Sequence, residues 1–108
     1  MTVTREELWA LQAKAMTERD LQAAGDKIAK DAGWLCYHTW RSTHSPSGFP
    51  DSVYLRGWRG IVVEYKREGK DATTAQHEWL TAFTRTGFQA YLWHPSDLLS
   101  GRIAEALA

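Results

Sequence analysis

The apolar run Ile61-Val62-Val63 leads without a break into the charged sequence Glu64-Tyr65-Lys66. Three consecutive β-branched residues are typical of a strand that is buried on both faces. Ionised side chains at the end of such a strand are costly to bury unless they are paired or bind a metal ion. The chain must therefore fold so that Glu64 and Lys66 meet compensating partners, which makes the end of this strand a candidate metal-assisted site.

The residues before this strand predict a β-hairpin. Ser52 to Leu55 has the composition of a short strand, and Arg56 to Gly60 contains two glycines that favour a turn. A hairpin centred on Trp58 would place Ser52 opposite Glu64.

In this register Asp51 lies opposite Tyr65 and beside Glu64, at the open end of the hairpin. Side chains alternate along a strand, so Glu64 and Lys66 share one face while Tyr65 points the other way. Two carboxylates within a few ångströms repel one another and would hold a shared proton or a divalent cation. Because the ligands are all oxygens, the pattern favours Mg²⁺, with Mn²⁺ as a substitute.

Two short elements carry a resemblance to a known family. Pro50-Asp51 corresponds to a PD element and Glu64-Tyr65-Lys66 to an ExK element, so the chain resembles the PD-(D/E)XK nuclease superfamily and, within it, the VRR-NUC family. The ordered combination with Gly48-Phe49 and Gln76 is more specific than the two elements alone. The resemblance covers about residues 17 to 97 and includes Gly33-Trp34, Tyr37-His38-Thr39, Trp79-Leu80 and Tyr91 to Pro95.

Capping and turn signals predict the remaining elements. The predicted helices are Thr4 to Lys14, Thr17 to Ala32, Thr74 to Thr86 and one from Pro95 to the C-terminus; the further strands are Trp34 to Trp40 and Phe88 to Trp93. The order α-α-β-β-β-α-β-α describes an α/β fold with a mixed sheet flanked by helices. The resemblance implies that this is a restriction-endonuclease-like core.

Composition favours one small domain. The chain has 108 residues, which we predict form a single nuclease-like domain (1–108) with an added N-terminal helix in residues 1–16. No apolar run approaches the length of a membrane span, so no membrane association is expected. The single cysteine fits a reducing cytoplasm. The resemblance implies that this is the cytoplasm of a bacterium or of a phage-infected host cell.

The resemblance assigns roles to the charged residues at the site. It implies that Asp51, Glu64 and the Tyr65 main-chain carbonyl bind Mg²⁺. Lys66 would position the attacking water and stabilise the developing negative charge. Glu18 would bind a metal ion directly or through water.

Two of the implied catalytic residues have an alternative interpretation. Glu18 lies at the edge of the inward helical stripe that begins with Leu21 and Gly25, but an acid at a helix N-terminus also favours the helix dipole. Gln76 would orient Lys66 or the scissile phosphate, yet its spacing from Thr73 also fits a capping box.

Charge is distributed unevenly although the net charge is zero. Residues 41–70 carry six bases against three acids, and this excess favours contact with phosphates. The alternative is ordinary surface charge, especially for Arg56 and Arg59 at the turn. The predicted DNA-binding residues are Arg41, His44, Ser47, Arg67 and Lys70.

The sequence therefore predicts a Mg²⁺-dependent DNA endonuclease, and the resemblance implies activity on branched DNA such as Holliday junctions and a phage or prophage origin. The resemblance also implies a homodimer. The first helix carries the apolar residues Leu8, Trp9, Leu11 and Ala15, which either pack back on the core of the same chain or contact a partner, and we favour the partner. The alternative is a non-catalytic or partner-dependent DNA-binding module on the same fold.

Overall fold

A four-stranded mixed β-sheet with helices packed against it forms the framework of the chain in the computed structural model, which describes residues 2–40 and 46–108. The α/β prediction is therefore confirmed. The order of elements is α-α-β-β-β-α-β-α-α. They are helices α1 Arg5–Ala15, α2 Glu18–Asp31, α3 Thr74–Arg85, α4 Pro95–Leu99 and α5 Arg102–Leu107, and strands β1 Leu35–His38, β2 Ser52–Arg56, β3 Arg59–Tyr65 and β4 Gln89–Trp93.

Threonines cap the three long helices, as predicted. The hydroxyls of Thr4, Thr17 and Thr73 each accept a hydrogen bond from the main-chain N–H three residues later, at 3.1 to 3.2 Å. Each bond satisfies one of the N–H groups that a helix leaves unpaired at its N-terminus. In α3 the capping box is complete, because the Gln76 side chain accepts a hydrogen bond from the main-chain N–H of Thr73.

The hairpin of β2 and β3 is confirmed, but its turn is tighter than predicted. Only Gly57 and Trp58 form the loop, and Arg56 already pairs with Arg59. Gly57 has a φ of +58°, a left-handed conformation that two-residue turns require and glycine adopts readily.

This tighter turn moves the register by one residue. Ser52 lies opposite Val63 and not opposite Glu64, so that pairing was predicted wrongly. Continuing the observed register by one residue places Asp51 level with Glu64 instead of Tyr65. The observed register therefore places the two carboxylates on the same face of the sheet.

The strand order β1-β2-β3-β4 puts β3 inside the sheet. It pairs antiparallel with β2 and parallel with β4, and α3 forms the crossover between the parallel strands. Alternate residues of β3 face different helices: Tyr65 contacts Gly25 of α2, whereas Glu64 bonds to Gln76 of α3. The main core lies on the α2 side and contains Leu21, Ala29, Trp34, Tyr54, Ile61, Val63, Tyr65, Trp93, Ile103 and Leu107.

The single helix predicted from Pro95 to the C-terminus is divided into α4 and α5. The break occurs at Gly101, whose φ of +86° is left-handed and ends the first helix. The break allows α5 to turn back over α2 and bury Ile103 and Leu107 in the core. The indole N–H of Trp34 donates a 2.8 Å hydrogen bond to the Leu107 carbonyl and fixes this position.

Helix α1 packs against α4 and still presents apolar side chains to solvent. Ala13 is buried in the contact, while Leu8, Trp9 and Leu11 are 49%, 41% and 61% exposed. Within the described residues, no helix has both the length and the apolar character needed to cross a membrane.

A second apolar surface lies on β1 and β2. Leu35 pairs with Leu55 across the two strands, and both are exposed, as is Tyr37 two residues further along β1. Because β1 is an edge strand, this surface borders a free edge of the sheet.

Candidate active site

Asp51 and Glu64 meet at the open end of the hairpin. Oδ2 of Asp51 accepts a 2.8 Å hydrogen bond from the main-chain N–H of Tyr65, which fixes this carboxylate at the end of β3. Glu64 is only 2% exposed, and its Oε1 accepts a 2.8 Å hydrogen bond from Nε2 of Gln76. The structure thus brings together the two carboxylates that the sequence predicted.

Burial raises the pKa values of both carboxylates. Burial, followed by the negative charge of Asp51, raises the pKa of Glu64 to about 8. Burial also raises the pKa of Asp51, although the hydrogen bond from the Tyr65 N–H opposes this rise. Pairs of acids with raised pKa values are typical of catalytic and metal-binding sites.

One oxygen of Glu64 is left without a partner. Within residues 2–40 and 46–108, Oε2 of Glu64 is the one buried side-chain polar atom that makes no hydrogen bond. An unsatisfied buried oxygen is costly, and this cost is removed when a proton or a cation binds. The oxygen is therefore a natural ligand position.

The donors present fit a hard cation that retains water. Within the described residues there is no group of three or more His, Cys, Asp or Glu side chains that could hold a metal ion. Two carboxylates meet at the site, and Mg²⁺ is commonly held by one or two carboxylates together with several waters. Asp51 and Glu64 are therefore a pair of oxygen donors whose chemistry fits a Mg²⁺ ion that keeps most of its waters.

Lys66 and Glu18 both act on this pair. After burial, which dominates, the ammonium of Lys66 lowers the pKa values of Asp51 and Glu64, and the carboxylate of Glu18 raises them. Lys66 is held in place because its main-chain N–H donates to the Trp93 carbonyl at 3.0 Å, which continues the β3–β4 pairing. Glu18 is the first residue of α2 and is half-buried.

Gln76 combines the two roles that the sequence left as alternatives. Its Oε1 accepts from the Thr73 N–H at 2.8 Å as part of the capping box, and its Nε2 donates to Glu64. Of the five predicted catalytic residues, the structure brings Asp51, Glu64 and Gln76 together, and Lys66 and Glu18 are near enough to shift the pKa values of the two carboxylates.

The Gly48-Phe49 segment docks the Asp51 loop on α3. Gly48 has a φ of +89°, and a Cβ at this position would lie 2.5 Å from the main-chain carbon of Ala75. Only glycine permits this approach. The ring of Phe49 packs edge-on against Trp79 and Phe83, with centroids 5.1 and 5.9 Å away. The loop and the helix that carries Gln76 are therefore held together.

A buried network around Asp26 was not predicted. Asp26 is only 6% exposed, and its Oδ1 accepts hydrogen bonds from the hydroxyls of Ser52 and Tyr54. The Tyr54 hydroxyl also bonds to that of Tyr65, at 2.6 Å. The available signal was an acidic residue next to Gly25 on the inward face of α2.

Gln22 is a second residue near the site that was not predicted to contact it. In the structure its Nε2 lies 3.3 Å from both the Asp51 carbonyl and the Ser52 hydroxyl. It therefore ties α2 directly to the residue that carries the candidate ligand.

The predicted DNA-binding residues have separate outcomes. Arg41 and His44 lie outside the described residues. Ser47 is exposed, and its carbonyl accepts a 3.1 Å hydrogen bond from the Trp79 indole. Arg67 and Lys70 are exposed in the loop after β3, and the Arg67 guanidinium donates a 3.1 Å hydrogen bond to the Lys14 carbonyl of α1.

Arg56 and Arg59, two arginines of the basic segment 41–70, make hydrogen bonds within the protein. Arg56 donates to the carbonyls of Ala32 and Ala108 at 2.8 and 2.9 Å, and Arg59 donates to Gln89. Both guanidinium groups lie over the Trp34 ring, at 4.4 and 5.0 Å. They stabilise the turn end of the hairpin and the C-terminus, and these bonds favour the alternative of ordinary surface charges over a role in binding DNA.

Comparison with known protein families, with characterised proteins and with solved structures finds no match to this chain.

Proposed function

We propose that this chain is a Mg²⁺-dependent DNA endonuclease with a restriction-endonuclease-like core of the VRR-NUC type. The observation that carries the proposal is the buried Asp51–Glu64 pair, in which Oε2 of Glu64 has no protein partner. Lys66 and Gln76 adjoin this pair. The same residues are the ones to which the sequence resemblance assigns catalytic roles, and this agreement supports the proposal.

The chemistry follows from what these side chains hold in place. A bound Mg²⁺, or Mn²⁺, would supply an activated water and neutralise a phosphate oxygen. Asp51 and Glu64 would bind it, together with the Tyr65 carbonyl and with Glu18 acting through water. Other groups of the chain would orient the reaction.

Hydrogen bonds to the two carboxylates would keep them preorganised. The Tyr65 N–H orients Asp51, and Gln76 orients Glu64. Lys66 would position the attacking water and stabilise the negative charge that develops at phosphorus. Preorganised charges of this kind contribute most when they need not move during the reaction.

Branched DNA such as a Holliday junction is the proposed substrate. Two strands must be cut at a junction, and a homodimer with C2 symmetry would present two sites to them. The protein would act in the cytoplasm of a bacterium or of a phage-infected cell. Arg67, Lys70 and Ser47 would contact the phosphate backbone, and Arg41 and His44 would do so as well.

Cleavage of labelled linear duplex, flap and four-way junction, with and without Mg²⁺, tests the proposal. Asp51→Asn, Glu64→Gln and Lys66→Ala should each lower the cleavage rate by roughly a hundredfold or more. Lys27→Ala is the control, because Lys27 is exposed and, among the residues that the structure describes, forms an ion pair only with Asp31 four residues later on α2. Full activity of purified Asp51→Asn in Mg²⁺ would refute the assignment.

The same experiment separates the alternative function. A wild-type chain that binds the junction tightly in Mg²⁺ but never cuts it is a DNA-binding module. A chain that cuts only after a second protein is added is a partner-dependent subunit.

A further inference from the structure

An open cavity of about 490 Å³ adjoins the Asp51 loop, and none of the five predicted catalytic residues lines it. This volume lies within the range of ordinary small-molecule sites. The side chains that matter for its chemistry are Arg19, Gln22, Asp26, His38, Thr39 and Trp40.

The wall of the cavity is bonded to the candidate active site. The main-chain N–H of Thr39 donates to the Asp51 carbonyl at 2.9 Å, and Nε2 of Gln22 lies 3.3 Å from the same oxygen. The cavity is therefore adjacent to the residue that carries the Asp51 carboxylate, and a nucleotide bound at the candidate site would have a neighbouring base on this side of the protein.

Aromatic rings form one side of the cavity. Trp40 is 83% exposed, although tryptophan usually buries its large apolar surface. Its ring lies 4.9 Å from that of His38, tilted by 53°. Exposed aromatic side chains beside a phosphate-binding site are the usual platforms for unstacked nucleobases.

The floor of the cavity disfavours a second phosphate. Asp26 is nearly buried there, and its Oδ2 lies 3.4 Å from Nδ1 of His38. The Ser52 and Tyr54 hydroxyls hold this carboxylate in place from below. A fixed negative charge repels an anion, whereas the polar edge of a neutral heterocycle can hydrogen-bond beside it.

We infer that this base cavity (Arg19, Gln22, Asp26, His38, Thr39 and Trp40) receives an unstacked nucleobase next to the scissile phosphate. The inference rests on the proposed nuclease function and deepens it. The preferred substrate then has a nucleotide that is unpaired or readily unpaired beside the cut, as at a branch point. Trp40 stacks on the base, and Arg19 at the rim contacts the flanking backbone.

The test uses a synthetic four-way junction in which one abasic nucleotide is placed in turn at each position near the branch. Binding is measured in Ca²⁺, so that affinity is read without cleavage. Wild-type protein should bind the junction roughly tenfold less tightly when the critical base is missing. Trp40→Ala should lose about the same factor on the intact junction and be insensitive to every abasic position.

Two variants serve as controls. Trp40→Phe keeps an aromatic platform and should retain the abasic response. Trp58→Ala removes a still more exposed tryptophan at the hairpin tip, at the opposite end of β3 from Glu64, and should also retain the abasic response. Unchanged melting temperatures would show that all three variants fold.

The outcomes separate the inference from the proposed function. If Trp40→Ala and the wild type respond alike to every abasic position, the base cavity is refuted even where the wild type cleaves. If the wild type shows the abasic response but never cleaves in Mg²⁺, the nuclease proposal fails and the base-binding site stands. A wild type that binds no junction at all overturns both.

Discussion

Nε2 of Gln76 donates a 2.8 Å hydrogen bond to Oε1 of Glu64, so the residue that completes the capping box of helix α3 also holds the buried carboxylate of β3. The amide group has one donor end and one acceptor end, and this arrangement uses both. The N-terminus of the helix and the end of the strand are thereby fixed relative to one another. Changes at the cap should consequently be felt at the site.

Gln76→Ala and Thr73→Ala form a matched pair that separates these roles. Thr73→Ala removes the hydroxyl that accepts from the Gln76 N–H but leaves the hydrogen bond to Glu64. It should cost about 1 kcal/mol in the free energy of unfolding, measured by urea denaturation, and change cleavage little. Gln76→Ala should lose similar stability and also lower the cleavage rate. Equal activity of the two variants would contradict a role for Gln76 at the site.

Glu64 should make the stability of the metal-free protein fall as pH rises. Its pKa is about 8 in the folded protein against an ordinary value of 4.5, so the folded state keeps a proton that the unfolded chain has released. The stabilisation is full below the lower value and is lost as pH rises through the higher one. We expect urea denaturation in EDTA to show this decline, and Glu64→Gln to flatten it.

Binding of Mg²⁺ should oppose this loss of stability at high pH. A cation that binds the ionised pair stabilises the folded state at pH 8 by mass action, since the unfolded chain has no such site. Saturating Mg²⁺ should therefore raise the melting temperature of the wild type and not of Asp51→Asn. An equal rise in both proteins would place the metal elsewhere.

Gly25→Ala should strongly destabilise the fold. A Cβ at Gly25 would lie 2.0 Å from the Tyr65 hydroxyl oxygen, so the helix and the strand must separate. Overpacking of this kind costs about 1–3 kcal/mol, occasionally more. In a Tyr65→Phe background the same change should cost less, because the closest atom is gone. Thermal melts of the four proteins in this cycle measure the difference, and an additive result would contradict the close approach of Tyr65 to Gly25.

Arg67 and Lys70 should supply part of the salt-dependent binding to DNA. Both are exposed in the loop after β3, close in sequence to Lys66. The double change to alanine should weaken binding to junctions and duplexes alike, and it should reduce the salt slope by about 1 for each phosphate that is no longer neutralised. Lys27→Ala, on the exposed face of α2, should leave the slope unchanged. An unaltered slope in the double variant would place the DNA on another face.

Helix α1 should mediate the proposed homodimer. Leu8→Glu with Leu11→Glu changes its exposed side chains and leaves the packing of Ala13 against α4 intact. Light scattering at micromolar concentration should show a dimer for the wild type and a monomer for this variant. Leu35→Glu changes the rival apolar surface on β1 and should have no effect. A dimer that breaks only in Leu35→Glu would assign the interface to the β1–β2 surface instead, and a monomeric wild type would exclude a preformed dimer.

The elements of the fold were predictable because their signals are local. Thr4, Thr17 and Thr73 satisfy N–H groups only three residues away, so the sequence alone shows where these helices begin. The clustering of Asp51 with Glu64 also followed from nearby residues, since one short hairpin joins them. The register error arose because pairing of Arg56 with Arg59 shortens the turn, and that pairing depends on twist and packing of both strands.

Longer-range partners could not be predicted in the same way. Arg56 bonds to the carbonyl of Ala108, 52 positions away, so its charge appeared available for DNA. Asp26 was not predicted to be buried because its partners Ser52 and Tyr54 come from a strand that the helix pattern does not reveal. Local patterns show which residues are costly to bury, but only the assembled fold shows which partner offsets that cost.

The parallel pairing of β3 with β4 also determines when the residues of the candidate active site come together during folding. Lys66 is anchored to Trp93, and Gln76 reaches Glu64 only after α3 has crossed between the two strands. Pairings of this kind close long loops and form late, because chain entropy opposes them until the sheet is nearly complete. A nascent or partly unfolded chain therefore lacks the assembled charges, and whatever chemistry the candidate active site performs is restricted to molecules that have finished folding.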